Sequence, residues 1–148
     1  MKILMVCLGN ICRSPLAEGI MQHLVNGEGL NWTVDSAGTG NYHLGGHPDA
    51  RSIKVAQQNG IDISNQKARQ FSKADFKTFD HIYVMDKQNY ENVILLANSD
   101  EEKQKVKLFI PNEIVPDPYF DDNLFKPAFD MIYAQCGKLL TALKKENK

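Results

Sequence analysis

Near the start of the chain, a cysteine and an arginine are separated by five residues, in the stretch Cys7-Leu8-Gly9-Asn10-Ile11-Cys12-Arg13-Ser14. This spacing lets one turn of backbone wrap an oxyanion, with the thiol below it and the guanidinium beside it. Arginine can bind two oxygens of one phosphate group, which lysine cannot do. Gly9 and Asn10 tolerate the positive φ angles that a tight loop needs. The pattern predicts a nucleophilic thiolate held against a bound oxyanion.

The residues on either side of this loop favour the same interpretation. The apolar run Ile3-Leu4-Met5-Val6 is typical of a buried parallel strand. Ser14-Pro15 opens a helical pattern, so the loop lies between a strand end and a helix N-terminus. Its N–H groups can converge there on an anion, and this setting favours a thiolate. A lone cysteine is more often a small buried apolar residue, but the complete loop favours a nucleophile.

Residues 6–15 resemble the C-x5-R-S signature of the low-molecular-weight protein-tyrosine phosphatases, and further matches extend over most of the chain. The resemblance implies a bacterial-type member of that family, which hydrolyses phosphotyrosine and aryl phosphates through a phosphocysteine intermediate. In such a mechanism Cys7 attacks phosphorus. Arg13 and the amides of residues 8–13 would hold the phosphate oxygens.

A second constellation, Asp117-Pro118-Tyr119, follows the last predicted strand. Taken alone, it is more often a structural turn than a site. An Asp on a proline-stiffened loop can protonate a leaving oxygen, and the resemblance implies that Asp117 is the general acid. The family commonly has a second Tyr after Tyr119, whereas this chain has Phe120.

The predicted site combines these two stretches with one aromatic residue between them. Tyr42 and Tyr119 are interpreted as walls of a deep pocket for a phenyl phosphate, although an ordinary structural role for Tyr42 is equally compatible with its type. The family match also implies that Ser36 bonds the loop through Asn10, and that Gln66 replaces a frequent histidine. The predicted catalytic residues are Cys7, Arg13 and Asp117, and the predicted substrate-binding residues are Leu8, Gly9, Asn10, Ile11, Cys12, Ser14, Tyr42 and Tyr119.

No metal and no cofactor is predicted. The four histidines, His23, His43, His47 and His81, fall in different predicted elements without a ligand cluster. Asp86, which also matches a family position, is predicted to cap a helix.

Apolar periodicity predicts strands that alternate with helices along the whole chain. Strands are predicted at 3–6, 32–38, 81–85 and 106–109, and helices at 15–26, 48–59, 86–97 and 125–145, with a short helix near 72–75. The polar run 98–105 is predicted to be a surface turn. This order indicates an α/β fold with a four-stranded parallel sheet, helices on both faces in a doubly wound three-layer arrangement, and the phosphate loop after the first strand.

Length and composition fit a single domain over residues 1–148. The formal net charge of −1 does not favour nucleic-acid binding, and no apolar run is long enough to span a bilayer. The odd number of cysteines, three, favours a reducing compartment, and residues 1–6 are too few for a signal peptide. We expect a cytoplasmic enzyme that acts on tyrosine-phosphorylated proteins, as a monomer or with weak self-association.

Two other functions remain open on the sequence. An arsenate reductase on the same fold would need further cysteines on a mobile segment, but residues 70–110 contain none. A catalytically silent module that binds phosphoproteins would not need Cys7, Arg13 and Asp117 together.

Overall fold

A fully parallel sheet of four strands, in the order β2-β1-β3-β4, lies at the centre of the computed structural model, which describes residues 1–146. The elements are β1 (Lys2–Cys7), α1 (Arg13–Gly27), β2 (Thr33–Gly38), α2 (Ala50–Gln57), α3 (Asp75–Thr78), β3 (His81–Val84), α4 (Lys87–Ile94), α5 (Asp100–Gln104), β4 (Val106–Leu108), a 3-10 turn (Asp122–Leu124) and α6 (Phe125–Glu146). The predicted four-stranded doubly wound fold is confirmed.

Strand β1 is buried on both faces because helices cover the sheet on each side. Ile3 and Met5 pack into a cluster with apolar residues of α1 and α6. Leu4 and Val6 point to the opposite face and pack with residues of β3, β4 and α4. A strand buried on both sides reads as a continuous apolar run rather than an alternating one, which explains the pattern at the chain start.

The parallel arrangement brings the carboxyl ends of the strands to one edge of the sheet. Cys7, the last residue of β1, is in register with Gly38 at the end of β2, and Val6 is in register with Val84 at the end of β3. The segments that leave these strands therefore meet around the loop after β1, where open α/β sheets place their sites.

The polar run 98–105 contains a helix, α5 (Asp100–Gln104), and the prediction of a surface turn was wrong there. The side chain of Ser99 accepts a hydrogen bond from the N–H of Glu102, and the first turn of α5 is acidic. Both features stabilise a helix N-terminus.

Within residues 1–146, no helix combines the length and the apolar character that crossing a bilayer requires.

The substitution Gly38→Ala tests how tightly β2 packs on the loop. A Cβ atom at position 38 would lie 2.7 Å from the carbonyl oxygen of Leu8, with further backbone of the loop beside it. We expect a loss of roughly 1–3 kcal/mol in the free energy of unfolding, the usual cost of overpacking, measured by urea denaturation. Gly137→Ala in α6 is the matched control, since a Cβ atom there meets nothing within 4 Å and should stabilise the helix by about 0.5–1 kcal/mol. Equal unfolding midpoints for Gly38→Ala and the wild type would contradict the close packing.

Candidate active site

The loop between β1 and α1 leaves its backbone N–H groups free. Among the described residues, none of the N–H groups of residues 8–12 donates to another protein group. Buried backbone donors are nearly always paired, so a row of free donors at a helix N-terminus is suited to binding an anion. The loop lines a cavity of about 320 Å³.

The side-chain amide of Asn10 holds this loop in shape. Its Nδ2 donates to Ser14 Oγ at 2.8 Å and to Ser36 Oγ at 2.9 Å, and its Oδ1 accepts from the backbone N–H of Arg69 at 3.0 Å. The backbone of Asn10 has a φ of 57°, a conformation that Asn adopts more readily than most residues. One side chain thus joins the loop to α1, to β2 and to the segment before α3.

The thiol of Cys7 lies against the hydroxyl group of Ser14. The distance between Cys7 Sγ and Ser14 Oγ is 3.0 Å, and both residues are buried. Since Ser14 Oγ already accepts from Asn10, its own proton can go to the sulfur, which is nearer than the other acceptor, the carbonyl oxygen of Ala37 at 3.5 Å. A hydroxyl donor stabilises a thiolate more than a thiol, because hydrogen bonds to charged groups are stronger.

The guanidinium group of Arg13 is buried and held by residues from two other segments. Its Nη1 donates to Asp86 Oδ2 at 2.7 Å and to the carbonyl oxygen of Val115 at 3.1 Å. Burial opposes the charge of Arg13, but the neighbouring Cys7 and Asp86 outweigh burial and raise its pKa above the usual value. Arg13 therefore stays charged and oriented at the cavity.

Asp117 and three aromatic residues form the other side of the cavity. Asp117 Oδ2 lies 3.6 Å from Arg13 Nη2, and Asp117 Oδ1 accepts from the N–H of Tyr119. Tyr42, Tyr119 and Phe120 also line the cavity; Tyr42 is 72 % exposed and Phe120 is 91 % exposed. The polar groups thus lie at the bottom and the rings lie toward solvent.

The structure brings most of the predicted site residues together around this cavity. Those that line it are Cys7, Leu8, Gly9, Ile11, Cys12, Arg13, Tyr42, Asp117 and Tyr119. Asn10 and Ser14 lie behind the loop surface and support it. Burial raises the pKa of the Cys12 thiol to about 12, so this second cysteine stays protonated and is a poor nucleophile.

Several residues of the site were not predicted in the roles they have. Asp86 does cap α4, through Oδ1 and the N–H of Asn89, but its other oxygen also holds Arg13. Val115 contributes only a backbone carbonyl, which leaves no trace in a side-chain pattern. His43 and Phe120 line the cavity as well, and the position of Phe120 directly after Tyr119 was the available signal.

Glu18 on α1 was also missed, and it extends the Asn10 network. Its Oε1 accepts from Ser36 Oγ at 2.7 Å, and no Lys, Arg or His nitrogen in residues 1–146 lies within 4.0 Å of its carboxylate. Burial, with a smaller effect of Asp35, raises the pKa of Glu18 to about 7. Gln66, the residue at the position where the family often has histidine, donates to the carbonyl oxygen of Pro15 at 3.1 Å.

In the described part of the chain, no three His, Cys, Asp or Glu side chains are grouped as metal ligands. The arrangement of a thiol, free amides and a guanidinium suits a reaction at the phosphorus of a bound phosphate ester. The class that this fold and cavity define is a phosphoryl-transfer enzyme with a cysteine nucleophile.

Comparison with known proteins gives the family. The family model described as low molecular weight phosphotyrosine protein phosphatase matches residues 2–148. The human low molecular weight phosphotyrosine protein phosphatase is 39% identical over 149 residues, which cover 95% of this chain and 92% of that protein. The chain belongs to the low molecular weight phosphotyrosine protein phosphatase family.

Solved structures agree with this assignment. A protein tyrosine phosphatase from Entamoeba histolytica has a TM-score of 0.93 and 35% identity, with 100% of this chain and 99% of that chain covered. A Drosophila protein described as an arginine phosphatase has a TM-score of 0.90 and 35% identity, with 97% and 98% covered.

The raised pKa of Glu18 gives a pH-dependent stability. The pKa of this carboxyl is about 7 in the folded chain against an ordinary value of 4.5, so the folded state keeps a proton that the unfolded state loses. Its contribution to stability is therefore lost as pH rises from 4.5 to about 7. We expect Glu18→Gln, which keeps an acceptor for Ser36, to have a higher melting temperature than the wild type at pH 8 and a smaller advantage at pH 5.

Glu101→Gln, an exposed site on α5, is the control and should show no such pH trend. A difference between Glu18→Gln and wild type that is the same at both pH values would contradict the raised pKa.

Proposed function

We propose that the chain hydrolyses phosphotyrosine in proteins, and aryl phosphates in general, through a phosphocysteine intermediate. The observation that carries the proposal is the run of N–H groups of residues 8–12, none of them paired with another group of residues 1–146, in the loop that joins Cys7 to the buried guanidinium of Arg13. Preorganised donors aimed at the charge of a transition state are a main source of catalysis in low-dielectric sites.

In the first step, the Cys7 thiolate attacks phosphorus in line with the leaving phenol. The S–P bond forms as the P–O bond breaks, and Asp117 gives its proton to the phenolic oxygen. The free amides and Arg13 hold the three equatorial oxygens. Asp117 is suited to this role because it lines the same cavity as Cys7 and the aromatic residues that would hold the leaving group.

In the second step, water attacks the phosphocysteine. Asp117, now a carboxylate, takes the proton from this water as the P–S bond breaks and the thiolate of Cys7 leaves with the bond's electrons. Ser14 stabilises the departing thiolate, since its hydroxyl lies 3.0 Å from the sulfur. Inorganic phosphate then leaves and the starting state is restored.

The walls of the cavity favour an aromatic substrate. Tyr42, Tyr119 and Phe120 lie at its mouth, where rings can pack on the phenyl group of phosphotyrosine. A shorter phosphoserine would not extend from the protein surface to Cys7. The substrate-binding set is therefore Leu8, Gly9, Asn10, Ile11, Cys12, Ser14, Tyr42 and Tyr119, with Phe120 added.

We also propose the context in which this chemistry operates. Residues 1–148 act as a single domain, without metal or cofactor, in the cytoplasm. The chain is a monomer or self-associates weakly, and it does not act on nucleic acids or membranes. The formal net charge of −1 and three cysteines that are all free thiols support this context.

The alternatives fit the site less well. An arsenate reductase needs accessible resolving thiols, whereas Cys136 is buried on α6 and burial raises its pKa far above the usual range. A silent binding module would not need Asp117 in the cavity. Because one structural relative is described as an arginine phosphatase, phosphoarginine belongs in the assay as a competing substrate.

The substitution Cys7→Ser tests the nucleophile. A serine hydroxyl preserves the shape of the loop but is a far weaker nucleophile at neutral pH. We expect no measurable release of phosphate from p-nitrophenyl phosphate or a phosphotyrosine peptide, while the peptide still binds in a calorimetric titration. Cys136→Ser, distant from the cavity, should keep wild-type kcat. Turnover by Cys7→Ser near the wild-type rate would refute the assignment, and faster wild-type hydrolysis of phosphoarginine than of phosphotyrosine would refute the substrate class.

The substitution Asp117→Asn tests the general acid through the leaving group. A basic leaving group such as phenol needs the proton most, so the phosphorylation step with phenyl phosphate should slow by about 10²–10⁴-fold. A substrate with an acidic leaving group should lose less. Single-turnover measurements are needed, because Asp117 also acts in the second step.

Asp121→Asn changes a neighbouring carboxylate of the same loop, one that instead accepts from the N–H of Asn123. Asp121→Asn should lower the rate of the phosphorylation step only slightly, and by the same factor for every leaving group. An equal loss for every leaving group in Asp117→Asn would mean that Asp117 shapes the loop instead of delivering a proton.

A further inference from the structure

A second cavity lies at the β4 edge of the sheet, away from the loop after β1. It has a volume of about 930 Å³ and is larger than the cavity at Cys7. Its walls come from the ends of β3 and β4, from one side of α4 and from the C-terminal half of α6. None of the residues that line it lines the cavity at Cys7. We call it the edge cleft.

A largely buried tyrosine, Tyr83, lines the floor of the edge cleft. Tyr83 on β3 is 5 % exposed, and among residues 1–146 its hydroxyl neither donates nor accepts a hydrogen bond with another protein group. Burial raises the pKa of Tyr83 above its usual value, so the phenol stays protonated and remains a donor. A phenol hydroxyl that lines a cavity and is not used by the surrounding protein is available to a ligand that accepts a hydrogen bond.

The rest of the floor is apolar and partly aromatic. Phe109 and Leu143 are buried beside the cleft, and Leu139 is half-buried there. Such a floor suits the face of a ring, which offers flat apolar area with few rotatable bonds. Cavities of roughly 300–1,000 Å³ with a few polar groups are typical of small-molecule sites.

The rim of the edge cleft carries an excess of positive charge. Lys87, Lys107 and Lys138 line it and are exposed, and none of the three ammonium groups forms an ion pair within the described residues. Two carboxylates, Glu91 and Glu146, lie on the same rim. Three cations against two anions favour a ligand with a single negative charge over a polyanion.

We propose that the edge cleft is a second ligand site that binds small aromatic monoanions. The ring packs on Tyr83 and the leucines of α6, the Tyr83 hydroxyl donates to an acceptor on the ligand, and the rim lysines attract the anionic group. This site is separate from the cavity of the proposed phosphatase reaction and does not depend on that reaction.

The probe for this proposal is 8-anilinonaphthalene-1-sulfonate, an aromatic monoanion whose fluorescence rises when it binds an apolar site. The full chain is titrated in saturating inorganic phosphate, which occupies the loop at Cys7. We expect saturable binding with one site per chain. In ¹H–¹⁵N spectra, the amides that shift should be those around residues 83, 106–109 and 139–143, and not those of residues 7–14.

Two substitutions test the contacts separately. Tyr83→Phe removes only the hydroxyl, and Lys107→Gln removes one rim charge from an exposed position. Each should raise the dissociation constant of the probe by about two- to tenfold, the range of one ordinary hydrogen bond. Lys73→Gln, an exposed lysine outside the cleft, and Leu95→Ser, an exposed leucine elsewhere, should leave probe binding unchanged.

Unfolded protein also binds this probe, so each variant must first show a wild-type melting temperature. Because no other group of residues 1–146 bonds the Tyr83 hydroxyl, Tyr83→Phe should be about as stable as the wild type. If Tyr83→Phe is unstable, Lys107→Gln and the chemical-shift map still decide whether the probe binds in the edge cleft. The proposal is overturned by the absence of saturable binding, by displacement of the probe by phosphate, or by unchanged affinity in the cleft variants.

Discussion

The three hydrogen bonds of the Asn10 side chain are the constraint on which the site depends. An anion-binding loop must direct its N–H groups at the anion, so these groups make no hydrogen bonds within the protein that would stabilise the loop. The amide of Asn10 compensates because it joins the loop to Ser14, to Ser36 and to the backbone of Arg69. Its positive φ turns the chain so that these bonds form behind the loop, on the side away from the cavity.

The charge of Arg13 is accommodated through the topology of the sheet. A buried guanidinium is costly unless it is paired and hydrogen-bonded. Its partners are Asp86, at the end of β3, and the carbonyl of Val115, in the segment after β4. The N–H of Val115 in turn donates to the carbonyl of Met85. Both partners reach Arg13 only because β3 lies next to β1 in the sheet.

The sequence separation between residues in contact explains which features the sequence predicted and which it did not. The loop with its nucleophile, the strand before it and the helix after it are formed by residues that are close in sequence. Their residue types therefore predict their conformations. The pairing of Arg13 with Asp86 spans 73 residues, and it depends on the strand order, which no local pattern encodes. From the sequence, Glu18 is predicted to be an ordinary polar residue of a helix, because its contact with Ser36 appears only in the folded structure. The helix α5 was missed although Ser99 and Glu102 have capping-box spacing, because its length of five residues carries no apolar periodicity.

The hydrogen bonds behind the loop connect Glu18 to the residues that support the sulfur, through Ser36 and Asn10. An ionised carboxylate can only accept, so the Ser36 hydroxyl must donate to Glu18 and its oxygen is left to accept from Asn10. The other N–H of Asn10 donates to Ser14, whose own proton can go to Cys7 Sγ at 3.0 Å or to the carbonyl oxygen of Ala37 at 3.5 Å. The Asn10 amide nitrogen can only donate, and its orientation is fixed because Oδ1 accepts from the N–H of Arg69. A protonated Glu18 can itself donate, which removes the fixed polarity at the Glu18 end of these hydrogen bonds. The carboxyl whose pKa burial raises to about 7 therefore sets the orientation of the Ser36 hydroxyl, whereas Asn10 sets that of Ser14, the donor nearest to the nucleophile, whatever the charge of Glu18.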